Sequence, residues 1–260
     1  MLKLEKKHKY LILSLIITSV VYLYSLEYRF SHALLAVMVT VAGTYLVQFP
    51  NNKLKYLLIN NLLSVHLIIG VLISLFYFPN LGLPVKIVFI LATFIGLYIV
   101  SLINNVFLVV EEKKDLIPLY RVAVTWSQIV FVTIAIPFFA GVFKIPTNSI
   151  FQNGIVAVSA FLFAVYTIWT LNFDPELKRV RGVEVLLWGA LTAFFTFTAA
   201  VSVSFFPTES FLRALFVASV LMLGLSYLNN YLKNDITKKN LTEYFLITAL
   251  FYLLLFIFRN

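Results

Sequence analysis

Hydrophobic residues in this chain form long runs, separated by short segments that hold most of the charges. Runs such as 161–169 and 251–258 are apolar on all sides and lack the alternation of β-barrel strands. Nine runs approach the length of about 20 residues that crosses a bilayer as a helix. The sequence therefore predicts an all-α, polytopic transmembrane helix bundle. The predicted spans are 10–26, 32–49, 57–78, 86–110, 121–143, 153–172, 184–206, 211–232 and 241–258.

Composition excludes a soluble fold. The chain is 62% hydrophobic and 12% charged, with a mean hydropathy of +0.97, whereas soluble domains carry about 25% charged residues. The connections are short, so residues 1–260 are predicted to form a single integral membrane domain. The first run lacks a small-residue cleavage site, which favours an uncleaved helix that also serves as the targeting signal.

Basic residues predict the orientation of the chain. With the N-terminus inside, the inner segments hold 15 of the 20 lysines and arginines, as the positive-inside rule requires of short loops. The five in outer segments are Arg29, Lys86, Lys144, Arg213 and Arg259. An odd number of spans then places the C-terminus outside. The ninth run ends two residues before the chain does, so its full crossing is left open.

The net charge of +9 is explained in the same way. In a membrane protein the lysines and arginines determine topology and contact anionic lipid headgroups, so no nucleic-acid partner is expected. The predicted location is a cell membrane, most simply the cytoplasmic membrane of a prokaryote.

Two stretches of the chain resemble one another. Residues 101–116 and 226–241 share six of 16 positions, among them the Asn-Asn and Lys-Lys pairs. One explanation is a parallel repeat of spans one to four and five to eight with a ninth span added, as in some transporters. The other is that topology demands basic pairs at these turns and the asparagines match by chance.

Small residues four positions apart predict close contacts between helices in lipid. Such pairs are Ala160 with Ala164, Gly189 with Ala193, and Ala214 with Ala218.

Amides and one histidine are the main polar groups within the spans. Folding spans three and four about residue 82 pairs Asn60 with Asn104 near the inner boundary, and Asn229 lies at a similar depth in span eight. Interhelical hydrogen bonds, worth about 0.6–2 kcal/mol each, would explain the amides. His66 lies deep within span three, and a histidine at such a depth is typically hydrogen-bonded to a neighbouring helix. The functional alternative is a polar cytoplasmic vestibule, whose candidate ligand-binding residues are Asn60, Asn61, His66, Asn104, Asn105, Asn229 and Asn230.

Basic residues surround this predicted vestibule. A basic rim over amides suits the phosphate of a lipid headgroup or an anionic solute. The candidate contacts for such headgroups are Lys113, Lys114, Arg121, Lys178, Arg179, Arg181, Lys238 and Lys239.

Familiar catalytic motifs are missing, including HExxH, GxSxG and the Walker loop. The three histidines lie at different depths, so neither a metal site nor a cofactor is predicted. The inner loop with Asp174, Glu176 and Arg179 is the most enzyme-like segment. The stronger explanation of these charges is a solvated turn that starts at Pro175.

Three functions therefore remain open. The first is a non-enzymatic transporter-like, lipid-binding or partner-binding protein, and we lean towards this class. A proton- or sodium-coupled mechanism is disfavoured because no carboxylate lies deep within a span. The second is a membrane enzyme acting on a lipid-linked phosphate at the cytoplasmic face. The third is a structural or assembly subunit that binds other membrane proteins.

Overall fold

A computed structural model describes residues 5–49, 56–78, 81–113, 117–174, 177 and 180–258, without the side chain of residue 240. These residues form nine α-helices and no strand, which confirms the predicted fold class. The helices are α1 (Lys6–Glu27), α2 (Phe30–Gln48), α3 (Leu57–Tyr77), α4 (Leu83–Lys113), α5 (Leu119–Val142), α6 (Ser149–Leu171), α7 (Gly182–Ser204), α8 (Ser210–Leu232) and α9 (Lys238–Ile257).

The helix boundaries follow the predicted spans to within a few residues. Helices α1 to α8 are long and apolar enough to cross a membrane. The apolar segment of α9, Leu241–Ile257, is shorter, so the ninth crossing stays a prediction. Helix α4 has 31 residues and is about 46 Å long at about 1.5 Å per residue. It exceeds the roughly 30 Å of hydrocarbon, and its last three residues, Glu111, Glu112 and Lys113, are charged.

The chain divides into two compact units, Met1–Val130 (unit 1) and Phe131–Asn260 (unit 2). The boundary falls within α5, not between α4 and α5, so the units do not coincide with the halves of the proposed repeat. That repeat stays a prediction.

Helix α1 is central to unit 1, where it packs against α2, α3 and α4. Its buried residues recur every three or four positions, which places them on one stripe: Tyr10, Leu13, Ser14, Ile17, Thr18, Val21, Tyr24 and Ser25. The opposite face exposes leucines and isoleucines, as a helix bordering lipid does.

In unit 2, α8 packs against α6, α7 and α9, and α6 packs closely on α7. Ala160 and Ala164 of α6 are fully buried, as are Ala214 and Ala218 of α8. A Cβ atom on Gly189 of α7 would lie 2.6 Å from Cε2 of Phe161 in α6. The small residues therefore lie at helix contacts, as their spacing predicted.

The predicted topology can be tested with reporter fusions. Alkaline phosphatase at the C-terminus should be active because this end is expected outside, whereas green fluorescent protein there should be dark. A fusion after Asp174, in a predicted inner loop, is the control and should show the opposite pattern. Finding both chain ends on the same side would rule out nine crossings.

Candidate functional site

Side-chain amides from three helices meet in the interior of unit 1. Gln48 of α2, Asn60 of α3 and Asn104 of α4 are each at most 1% exposed. The Asn60 Nδ2 donates to Gln48 Oε1, and the Asn104 Nδ2 donates to the Asn60 backbone oxygen at 2.6 Å. This confirms the predicted pairing of Asn60 with Asn104. We call Gln48, Asn60, Asn61, Asn104 and Asn105 the amide cluster.

Helix α1 joins the amide cluster through Tyr10, which is 1% exposed. Its hydroxyl donates to Asn105 Oδ1 at 2.8 Å and also interacts with the Gln48 amide. The cluster therefore connects α1, α2, α3 and α4. Tyr10 and Gln48 were not among the predicted members of this site, although both lie at the same predicted boundary as the asparagines.

Two carbonyl oxygens of the amide cluster lack hydrogen-bond donors. The Asn61 Nδ2 donates to the Leu57 carbonyl of its own helix at 2.9 Å. The Oδ1 atoms of Asn60 and Asn61 are buried and have no partner. The amides are thus largely enclosed among helices, and their contact with a ligand stays a prediction.

The remaining polar candidates are held differently. The His66 Nδ1 lies 2.9 Å from the Leu62 carbonyl oxygen, a bond within its own helix. Asn229 of unit 2 is buried with its Oδ1 unpartnered, and Asn230 is half-buried.

The enzyme-like loop is fixed at both of its described ends. The Val180 backbone N–H donates to Asn172 Oδ1 at 3.1 Å. The Arg181 backbone N–H donates to Glu184 Oε2 at 3.2 Å, which caps α7. Asp174 is half-buried. The predicted contacts Glu176, Lys178 and Arg179 lie outside the described residues, as does Lys114. Within the described part of the chain no three histidine or acidic side chains could share a metal ion.

Unit 2 contains an open apolar groove between α7, α8 and α9, with a volume of about 620 Å³. Aromatic side chains make up much of its wall. The ring centroids of Trp188 and Tyr231 are 4.6 Å apart, so the wall continues towards the end of α8. The lining includes Trp188, Leu191, Phe195, Leu223, Tyr227 and Phe245. We call this the unit 2 groove.

The groove lies towards the lysine-rich ends of these helices. Trp188 is six residues after the start of α7, and Tyr227 is five residues before the end of α8. At about 1.5 Å per residue, both are roughly 10 Å from those ends. Lys233, Lys238 and Lys239 at those ends are exposed. The groove therefore extends from near the lysine-bearing ends of these helices to about the middle of α7 and α8.

Unit 1 has a smaller groove of about 430 Å³ between α4 and the start of α5. Asn105 and Trp126 line it, and Lys113 and Arg121 are exposed at the adjoining helix ends. Of the amide cluster, Asn105 is the member that borders this groove. A single-sequence pattern does not reveal such grooves because they depend on how neighbouring helices diverge.

Comparisons with family models, with curated proteins and with solved structures found no match for this chain. The described residues are those of a multi-pass helical membrane protein.

Proposed function

We propose that this protein is a non-enzymatic membrane protein that binds an anionic lipid of the cytoplasmic leaflet in the unit 2 groove. One observation carries the proposal: an apolar cavity of about 620 Å³ lies between α7, α8 and α9, and exposed lysines lie at the end of α8 and the start of α9. An amphipathic ligand needs an apolar surface and a charged surface next to one another.

The groove suits the apolar part of a lipid. Its volume of about 620 Å³ lies within the range of about 300–1,000 Å³ for small-molecule sites. Leu191, Phe195 and Phe245 are exposed within its walls, so a bound chain would cover apolar surface. Thr192 is the main polar residue at its base, and it donates to its own helix at Trp188.

The lysines suit the headgroup. Lys233, Lys238 and Lys239 lie at the end of α8 and the start of α9, and each basic residue near an anionic surface contributes about 1 kcal/mol. The Lys239 Nζ is 4.0 Å from Glu243 Oε1, and both groups are exposed, so this pair would compete only weakly with a lipid phosphate.

Filling the groove tests the proposal. A Cβ on Gly224 would lie 3.5 Å from Thr192 Cγ2, an ordinary contact, so Gly224→Phe places its ring in the cavity without disturbing the backbone. We expect the variant purified in mild detergent to retain about tenfold less phosphatidylglycerol in native mass spectrometry. Leu250→Phe is the matched control, because Leu250 is exposed on α9 away from the groove. Equal retention by both variants would refute the groove as the site.

Charge removal tests the headgroup contacts separately. The double variant Lys238→Gln, Lys239→Gln should bind phosphatidylglycerol about 30-fold more weakly while binding phosphatidylcholine as before, because two favourable charges of about 1 kcal/mol each are lost. The control is the double variant Lys86→Gln, Lys144→Gln. It has the same net charge as the first double variant but changes two lysines that are predicted to lie at the outer face. An equal loss in this control would show that total charge, not the position of the lysines, determines binding.

A further inference from the structure

Arg213 of unit 2 occupies an unusual electrostatic position. It is the fourth residue of α8, at the end opposite the lysines, where the helix dipole disfavours a positive charge. The Arg213 Nη2 donates to the Phe206 backbone oxygen at 2.8 Å, whereas its Nε–H is buried without a partner. By contrast, the exposed Arg29 of unit 1 forms an ion pair with Glu27 at 2.7 Å.

Thr208 shares a backbone acceptor with this guanidinium. Its backbone N–H donates at 2.9 Å to the same Phe206 oxygen that accepts from Arg213. The Thr208 side chain is 7% exposed, and its hydroxyl has no partner. Two unsatisfied donors, one of them charged, therefore adjoin a single carbonyl group.

The first turn of α8 adds further donors. Its N-cap residue, Glu209, makes no side-chain capping bond, so the first N–H groups of the helix are left for another acceptor. Glu209 is exposed and forms no ion pair with Arg213 in the part of the chain that the structure describes. The segment from Phe206 to Arg213 thus has hydrogen-bond donors on its buried side and the Glu209 carboxylate on its exposed side.

We propose that Arg213 and Thr208 bind the phosphodiester of a zwitterionic phospholipid, with its ammonium group against Glu209. A guanidinium fork and a hydroxyl match phosphate oxygens, and an uncapped helix N-terminus favours an anion. The rings of Phe206, Tyr252 and Phe256 pack together nearby, with centroids 5.1–6.3 Å apart, and form an apolar surface for the lipid chains. This site is independent of the unit 2 groove.

The test uses the full chain carrying Gly224→Phe, so that lipid in the groove does not contribute. Native mass spectrometry would follow titration with phosphatidylethanolamine, phosphatidylglycerol or inorganic phosphate. Arg213→Gln should weaken binding of both lipids by about tenfold, and Thr208→Val should act in the same direction. Glu209→Gln should remove the preference for phosphatidylethanolamine over phosphatidylglycerol. Arg29→Gln, at an exposed and paired arginine, should leave binding unchanged.

Two results would overturn the proposal. One is phosphatidylethanolamine binding that is unaffected by both Arg213→Gln and Thr208→Val. The other is inorganic phosphate displacing the lipids at equal concentration, which would identify a site for free anions. Thr208→Val removes one oxygen and nearly preserves shape, so it keeps the test decisive should Arg213→Gln fail to fold.

Discussion

Replacing Gly189 with leucine is expected to lower the free energy of unfolding by about 1–3 kcal/mol or more, the usual cost of overpacking a filled interior. A Cβ at this position would lie 2.6 Å from Cε2 and 2.8 Å from Cδ2 of Phe161. Either the Phe161 ring must rotate out of this contact or α6 and α7 must separate, and both changes disturb the packing of the two helices. The measurement is the unfolding midpoint of the purified protein in detergent, followed by size exclusion after heating.

Gly154→Leu is the matched control for this prediction. Gly154 is also a helical glycine of unit 2, but no atom lies within 4 Å of its Cβ position. Replacing a helical glycine improves helix propensity by up to about 1 kcal/mol, so this variant should be neutral or more stable. Adding Phe161→Ala to Gly189→Leu should restore part of the lost stability. Equal midpoints for the two glycine variants would contradict the close packing of α6 on α7.

The sequence predicted the helices well because lipid restricts the alternatives. An apolar run near 20 residues can satisfy its backbone in hydrocarbon as a helix, so the run from Leu57 to Tyr77 was enough to place α3. The small residues also predicted which helix faces pack against another helix, but not which residues they contact. The spacing of Gly189 and Ala193 indicated a packed face, whereas only the structure identifies Phe161 as the ring against it.

The polar interior was predicted in part for a related reason. Asn60 and Asn104 belong to adjacent spans joined by a short connection, so counting residues from the turn was sufficient to pair them. Tyr10 and Gln48 belong to α1 and α2, whose packing against α3 and α4 is not encoded in any local spacing. The grooves were not predicted because a cavity is a property of several helices together.

Replacing either Asn60 or Gln48 alone should lower the stability of the protein more than replacing both residues together. Asn60→Leu leaves the buried Gln48 amide without its bond from Asn60 Nδ2, and Gln48→Leu leaves Asn60 without its acceptor. An unsatisfied buried polar group costs about 1–3 kcal/mol, so each single variant should lower the unfolding midpoint. Replacing both by leucine removes both unpaired groups, and stability should largely return.

The size of this coupling distinguishes packing from other roles of the cluster. Because each single replacement leaves a buried polar group unsatisfied and the double replacement does not, the cycle should give a coupling of about 2 kcal/mol or more. That value exceeds the average of about 0.6 kcal/mol for interhelical hydrogen bonds in membrane proteins. Ser19→Leu is the control, since this exposed hydroxyl bonds only to Leu15 of its own helix and its loss should be neutral. Additive losses would mean that Asn60 and Gln48 act separately. Because four helices converge on these amides, a confirmed coupling would identify them as the interaction that fixes α2 against α3 in unit 1.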